Sequence, residues 1–96
     1  MAYEDCITVA MDMLQEYLSA EKQFQPFNST HEGYAVLKEE LDELWDLVKD
    51  KSCIDPTIFR KEAIQIGAMA IRFIMDCLPH GEVKRGALVN PEIFGE

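Results

Sequence analysis

The sequence predicts an all-α protein: an antiparallel helical bundle unit of three main helices, completed by oligomerisation into a four-helix-type bundle. Three observations predict this. Apolar residues recur at helical spacing in three separate segments. Helix start signals stand at the head of the second and third segments. No stretch alternates as a half-buried strand would, and none is repetitive or of low complexity.

The first helix is expected from about Tyr3 to Glu21, where Cys6, Ile7, Ala10, Met13, Leu14, Tyr17 and Leu18 recur at helical spacing. Glu4 and Asp5 are placed in its first turn, facing the positive end of the helix dipole. The polar stretch from Lys22 to Asn28, with Pro26, breaks the pattern. The second helix opens on Ser29-Thr30-His31-Glu32, a capping box with Ser29 as N-cap and Glu32 at N3. Its apolar stripe is Leu37, Leu41, Leu44 and Val48, and Lys49 and Lys51 suit its negative end. The third helix starts at Asp55-Pro56, an N-cap followed by proline at the first helical position, and runs to about Leu78. Residues 1–81 thus form one helical domain. Residues 82–96 carry Val83, Leu88, Val89, Ile93 and Phe94, too apolar for a free tail, and are expected to pack on the body or a partner subunit.

A chain of 96 residues allows one domain, and small domains bury a low fraction of their surface. With 48% of residues apolar, there is more apolar side chain than a lone three-helix unit hides, and association with further copies is the simplest remedy. A net charge of −9 excludes a generic nucleic-acid binder, which relies on Lys and Arg, and suits hard divalent cations. Cys6, Cys53 and Cys77 are odd in number and lack metal-ligand spacing, so they read as buried, reduced thiols of an intracellular, cytoplasmic protein. Acidic residues occupy the place of a signal peptide's basic segment, and the longest apolar stretch is too short to cross a membrane.

Helical wheels locate the charges. With Glu40 at zero, the apolar stripe of the second helix lies at roughly +40° to +100°, and Glu32, Glu39, Glu40 and Glu43 at roughly −100° to 0°. These carboxylates flank the buried stripe, whereas Asp42 is on the solvated side and Asp46 at the outer margin. Like charges at this spacing destabilise a helix, a fault that Mg²⁺ or Mn²⁺ would relieve. The same spacing also fits a solvated acidic face with Glu32 as a cap. The third helix is apolar nearly all round, which marks a central helix. Its one polar stripe, Glu62, Gln65, Arg72 and Asp76, is expected to face the acidic edge of the second helix. Spacing allows an Arg72–Asp76 ion pair at the far end of that stripe but leaves Glu62 without a partner. Small residues Gly67, Ala68 and Ala70 would let another helix approach closely.

Glu39-Glu40-Leu41-Asp42-Glu43 reproduces an EExxE motif, and a second acidic motif begins at Glu62 after eighteen intervening residues. This pair resembles the MazG-like, all-α nucleoside triphosphate pyrophosphohydrolases. His31 to Lys38 leading into EELDELWD, with Arg60-Lys61-Glu62 and Ala68-Met69-Ala70 later, is similar to small phage and bacterial members. The resemblance covers Asn28 to Asp76, about half the chain.

The resemblance implies a Mg²⁺-dependent homodimer or homotetramer that hydrolyses a nucleoside triphosphate, (d)NTP, to the monophosphate and pyrophosphate. Glu40, Glu43 and Glu62 match the family's metal-binding acids. The family's second motif is ExxD, and this chain has Gln65 at the fourth position, an amide that ligates without charge and so implies reduced metal affinity or metal number. Glu39 is then a water-orienting carboxylate beside the ligands. Lys38, Lys61 and Arg72 are the candidate phosphate-binding cations, and the wheel brings Lys61 and Arg72 to the site. Phe24, Phe27 and Asn28 could hold a base by stacking and hydrogen bonding, with ordinary loop packing as the alternative for the aromatics. His31 could reach in from the first turn, or serve as an exposed cap residue.

Two other classes compete. A non-catalytic acidic helical interaction protein, such as a phage inhibitor or DNA mimic, would spread its charge outward, whereas Glu40, Glu43 and Glu62 border apolar stripes. A ferritin-like carboxylate site would require Glu-x-x-His, which neither acidic helix contains.

Overall fold

In a computed structural model the described residues are 4–52 and 54–79. They form three helices: α1 (Cys6–Gln23), α2 (Thr30–Lys49) and α3 (Pro56–Cys77), with no strand among the described residues. No helix among them is long and apolar enough to cross a membrane. The expected packing of residues 82–96, and Cys53, lie outside the described residues.

Each helix starts at a side-chain cap. Asp5 accepts from the Ile7 amide at 2.8 Å, Ser29 from the Glu32 amide at 3.1 Å, and Asp55 from the Thr57 amide at 2.9 Å. Two details depart from expectation. Asp5 is the N-cap itself, so α1 begins at Cys6 and Glu4 stands ahead of it. There Glu4 accepts from Arg60 Nε and Nη2, both at 2.6 Å, and Arg60 Nη2 also reaches Asp12 at 2.6 Å. A fork-shaped donor ties the start of α1 to α3 more firmly than a dipole contact would. At α2, the Glu32 carboxylate accepts from the Asn28 amide at 2.6 Å, one residue upstream of the amide a capping box engages.

Helix α3 packs against both α1 and α2, as its apolar circumference implies. Glycine permits two close approaches. A Cβ at Gly33 of α2 would meet Phe73 Cδ2 at 2.7 Å, and one at Gly67 of α3 would collide with the Met13 side chain of α1. The core at these crossings consists of Ala20, Phe27, Ala68 and Met69, with Tyr17, Val36, Leu37 and Cys77 against it.

This core is thinner than the wheels imply. Leu37 and Leu44 are half-buried, but Leu41 and Val48 of the same stripe are exposed, as is Trp45. On α1, Met13 and Tyr17 turn inward while Ile7, Met11, Leu14 and Leu18 stay exposed. So does Cys6, expected to be buried but placed in the first turn ahead of the crossing with α3, whereas Cys77 is half-buried. The outer side of α3 exposes Ile58, Ala70, Ile74 and Met75. One helix can cover only one side of each neighbour, so the described helices do not cover the rest of each broad apolar face.

Candidate metal centre

The acidic stripe of α2 and the first polar residue of α3 meet. Glu40, Glu43 and Glu62 each offer a carboxylate oxygen, and these atoms lie within 4.8 Å of one another. Glu40 and Glu43 are one turn apart on α2, and Glu62 enters from the second turn of α3 because Asp55 and Pro56 fix where that helix starts. Glu40 and Glu62 are half-buried and Glu43 is exposed.

The electrostatics are those of acids forced together. Burial raises the pKa of Glu40, and the charges of Glu43, Glu62, Glu39 and Glu16 raise it further. Burial likewise raises Glu62, with the Glu43 carboxyl adding to the shift and Lys61 opposing it. With both acids ionised, the buried Glu62 Oε2 finds no hydrogen-bond partner among the described residues, and only a proton shared with the Glu43 carboxyl would give it one. A buried polar atom without a partner is costly.

These residues fit a hard divalent cation. All three donors are carboxylate oxygens, which Mg²⁺ and Mn²⁺ prefer. Opposite ligands on one Mg²⁺ ion stand about 4 Å apart, so the separations here need only small side-chain adjustments. A cation would also satisfy Glu62 Oε2 and offset the mutual repulsion.

The remaining candidates divide into two groups. Glu39 is exposed beside Glu40, and Lys61 is exposed beside Glu62. Gln65 lies one turn beyond Glu62, and its Nε2 donates to Glu16 Oε2 of α1 at 2.8 Å. Lys61, Gln65 and Glu16 line an open groove of about 590 Å³ between α1 and α3, together with Gln15, Ser19 and Thr57.

Arg72 belongs elsewhere. It stands ten residues past Glu62, roughly 15 Å along the helix axis. It is buried, donates from Nη2 to the Gln25 carbonyl, and lies 3.4 Å from Asp76 and 3.8 Å from Glu21. Its guanidinium sits 4.2 Å from the Phe27 ring centre and 5.7 Å from that of Phe24. The Phe27 amide donates to Asp76 at 3.1 Å. Burial raises the pKa of Glu21, and the adjacent Asp76 adds to it. Phe24 and Phe27 therefore pack on Arg72, which is the loop-packing alternative. Asn28 is engaged through its backbone amide with Glu32, and His31 is exposed.

The expected single polar stripe is thus divided among three neighbours. Glu62 faces α2, Gln65 faces α1, and Arg72 with Asp76 faces the α1–α2 loop and Glu21. A wheel reports the face a residue occupies and says nothing of its depth along the axis. Sequence reasoning passed over Glu16 and Glu21. The available signal for Glu16 was Asp12, Glu16 and Ser19, a polar row at i, i+4 and i+7 beside the inward Met13 and Tyr17.

No family model, curated protein or solved structure matches this chain.

Proposed function

We propose that this protein is a Mg²⁺-dependent nucleotide pyrophosphohydrolase that cleaves a (d)NTP to the monophosphate and pyrophosphate. The observation that carries the reading is the convergence of Glu40, Glu43 and Glu62 from two helices, with the Glu62 oxygen buried and unpartnered. The paired acidic motifs of the resemblance point to the same three residues.

In this reading Glu40, Glu43 and Glu62 hold Mg²⁺, or Mn²⁺, with Gln65 beside them. A Mg²⁺ ion held by these residues would supply charge neutralisation for phosphate oxygens and would activate a water for attack. Glu39 accepts a hydrogen bond from that water and orients it. Lys61, exposed next to Glu62, takes a phosphate oxygen. The groove between α1 and α3 has room for the rest of the nucleotide, with amides and hydroxyls along its walls. Arg72 serves the site at a distance, by holding the loop of Phe24 and Phe27. The exposed apolar residues Met11, Leu14 and Leu18 on α1, and Leu41, Trp45 and Val48 on α2, support a homodimer or homotetramer in which further copies cover them. The setting proposed is the cytoplasm.

The test is incubation with Mg²⁺ and each (d)NTP, with pyrophosphate as the readout, alongside Mg²⁺ calorimetry. Pyrophosphate release supports the reading. No turnover of any nucleotide together with no Mg²⁺ binding overturns it in favour of a non-catalytic acidic interaction protein.

A further inference from the structure

The charges near the end of α3 do not balance as the side chains stand. Two carboxylates converge on one atom of Arg72: Asp76 Oδ2 lies 3.4 Å and Glu21 Oε2 3.8 Å from its Nε. Arg72 and the Asp76 side chain are both buried. Nε carries a single N–H, so it cannot serve both acids. With both acids ionised, Glu21 Oε2 and Arg72 Nε are buried without a hydrogen-bond partner among the described residues. A proton on Glu21, donated to the Asp76 carboxylate, would supply a missing bond and leave one negative charge against one positive charge.

The same groups hold the α1–α2 loop. Asp76 Oδ2 also accepts from the Phe27 amide at 3.1 Å, and Arg72 Nη2 donates to the Gln25 carbonyl. The guanidinium lies 4.2 Å from the centre of the buried Phe27 ring. We propose that a proton shared by Glu21 and Asp76 latches this loop onto the bundle, and that its loss as pH rises releases residues 24–28. The latch stands apart from the metal reading, since no proposed ligand belongs to it.

Release follows from charge balance. Without the proton, two carboxylates share one guanidinium in a pocket that excludes water, and like charges repel. Ionised Glu21 competes for Arg72 and repels Asp76, the two residues that grip Gln25 and Phe27. Water drawn in to solvate the extra charge parts them from the loop. Burial raises Glu21 above the ordinary glutamate range, and the charge of Asp76 raises it further. A raised native value makes the hold complete at low pH and loses it as pH rises through that value.

The neighbours leave Glu21 and Asp76 as the pair that titrates in the pocket. Tyr17 of α1, raised by burial and by Glu21, stays a neutral phenol. Cys77, raised by burial, by Asp76 and by Glu32 of α2, stays a thiol. Residues 24–29 carry no titratable side chain. Lys22 of α1 and His31 of α2 are exposed.

The experiment is hydrogen exchange by NMR on the metal-free full chain, from about pH 5 to pH 8. The Phe27 amide is compared with the Leu41 amide inside α2, after correction for intrinsic exchange rates. Phe27 is expected to lose protection about tenfold relative to Leu41, as for loss of one hydrogen bond to a charged group. The Glu21 carboxyl carbon, followed by its ¹³C shift, should titrate over the same range, above ordinary glutamates. Glu21→Gln sets a permanent NH₂ donor against Asp76 and should keep Phe27 protected throughout. His31→Gln should leave the pH dependence intact. Equal loss at Phe27 and Leu41 reports global unfolding and overturns the latch, as does protection of Phe27 that ignores pH. A Glu21 carbon that titrates as an ordinary glutamate overturns it too, a readout that stands even if Glu21→Gln fails to fold. Persistence of the decline in Glu21→Gln, or its disappearance in His31→Gln, assigns the switch to another group and overturns the proposal.

Discussion

Helix α3 carries two polar clusters that are built from similar parts and balanced in opposite ways. Near its start, Glu62 meets Glu40 and Glu43, three carboxylates beside Lys61, a cation exposed to solvent. Near its end, Glu21 and Asp76 meet Arg72, a guanidinium buried between them and closed over by Phe24 and Phe27. The second cluster contains its own cation, and that cation doubles as the anchor of a loop. Among the described residues the first has no buried cation, only the exposed Lys61. Acids brought together without a fixed counter-charge weaken a fold, so the first cluster has the chemistry of a binding site and the second that of a structural brace.

The largest contrast comes from removing one charge at each cluster. Arg72→Met leaves Glu21 and Asp76 buried without their cation, and is expected to cost roughly 3 kcal/mol of stability, read by urea denaturation. Glu43→Gln relieves repulsion, so the metal-free protein should keep its helical circular dichroism and its urea midpoint or gain slightly. The same variant should lose pyrophosphate release. Unfolding of Glu43→Gln would make that residue structural and erase the contrast. A stable Arg72→Met protein would show that the loop needs no brace.

The dependence on pH sharpens the same comparison. Glu40 and Glu62 have raised pKa values in the fold, so the native state binds protons more tightly at these sites than the unfolded chain does. The native state then holds more protons just above the ordinary glutamate range, and stability falls as pH rises there. Glu21 contributes in the same direction. Glu4, lowered by its hydrogen bond from Arg60, works oppositely, its contribution fading as pH falls. Melting curves of the metal-free protein at pH 5 to 8 should therefore decline toward neutrality, and Mg²⁺ should restore the loss at neutral pH. A metal-free melting temperature independent of pH across that range would contradict the strained acid cluster.

Smaller effects test the frame that holds both clusters. Ser29→Ala removes the α2 cap and should cost about 1 kcal/mol by urea denaturation. Lys38→Ala breaks an exposed pair with Asp42 at 3.0 Å and should change stability by less than about 0.5 kcal/mol. A cost at Lys38 comparable to that at Arg72 would mean that burial does not separate the surface pair from the brace.

Much of this architecture is legible in local patterns. Ser29 and Asp55 mark the starts of α2 and α3, and the structure caps the helices with those residues. The sequence places Asp5 within the first turn, about three positions inside the cap it forms, because an acidic residue suits both a cap and a first turn. The convergence of Glu40, Glu43 and Glu62 was also legible, since each flanks an apolar stripe and α3 is the helix that both neighbours share. Arg72 was drawn toward those acids by the wheel, although its i,i+4 pairing with Asp76 was the correct local reading.

By itself, then, the sequence determined three helices, the caps of α2 and α3 and the faces that carry acid, because capping and periodicity are local properties of the chain. Only the tertiary structure decided which stretch of each face meets which neighbour. Rise along the axis parts Arg72 from Glu62, and the crossing of α1 brings Glu16 to Gln65. The same crossings decided that Met13 and Tyr17 would be covered and that Leu14 and Leu18 would not. Such contacts depend on where two helices cross, a relation between distant segments that no single segment encodes.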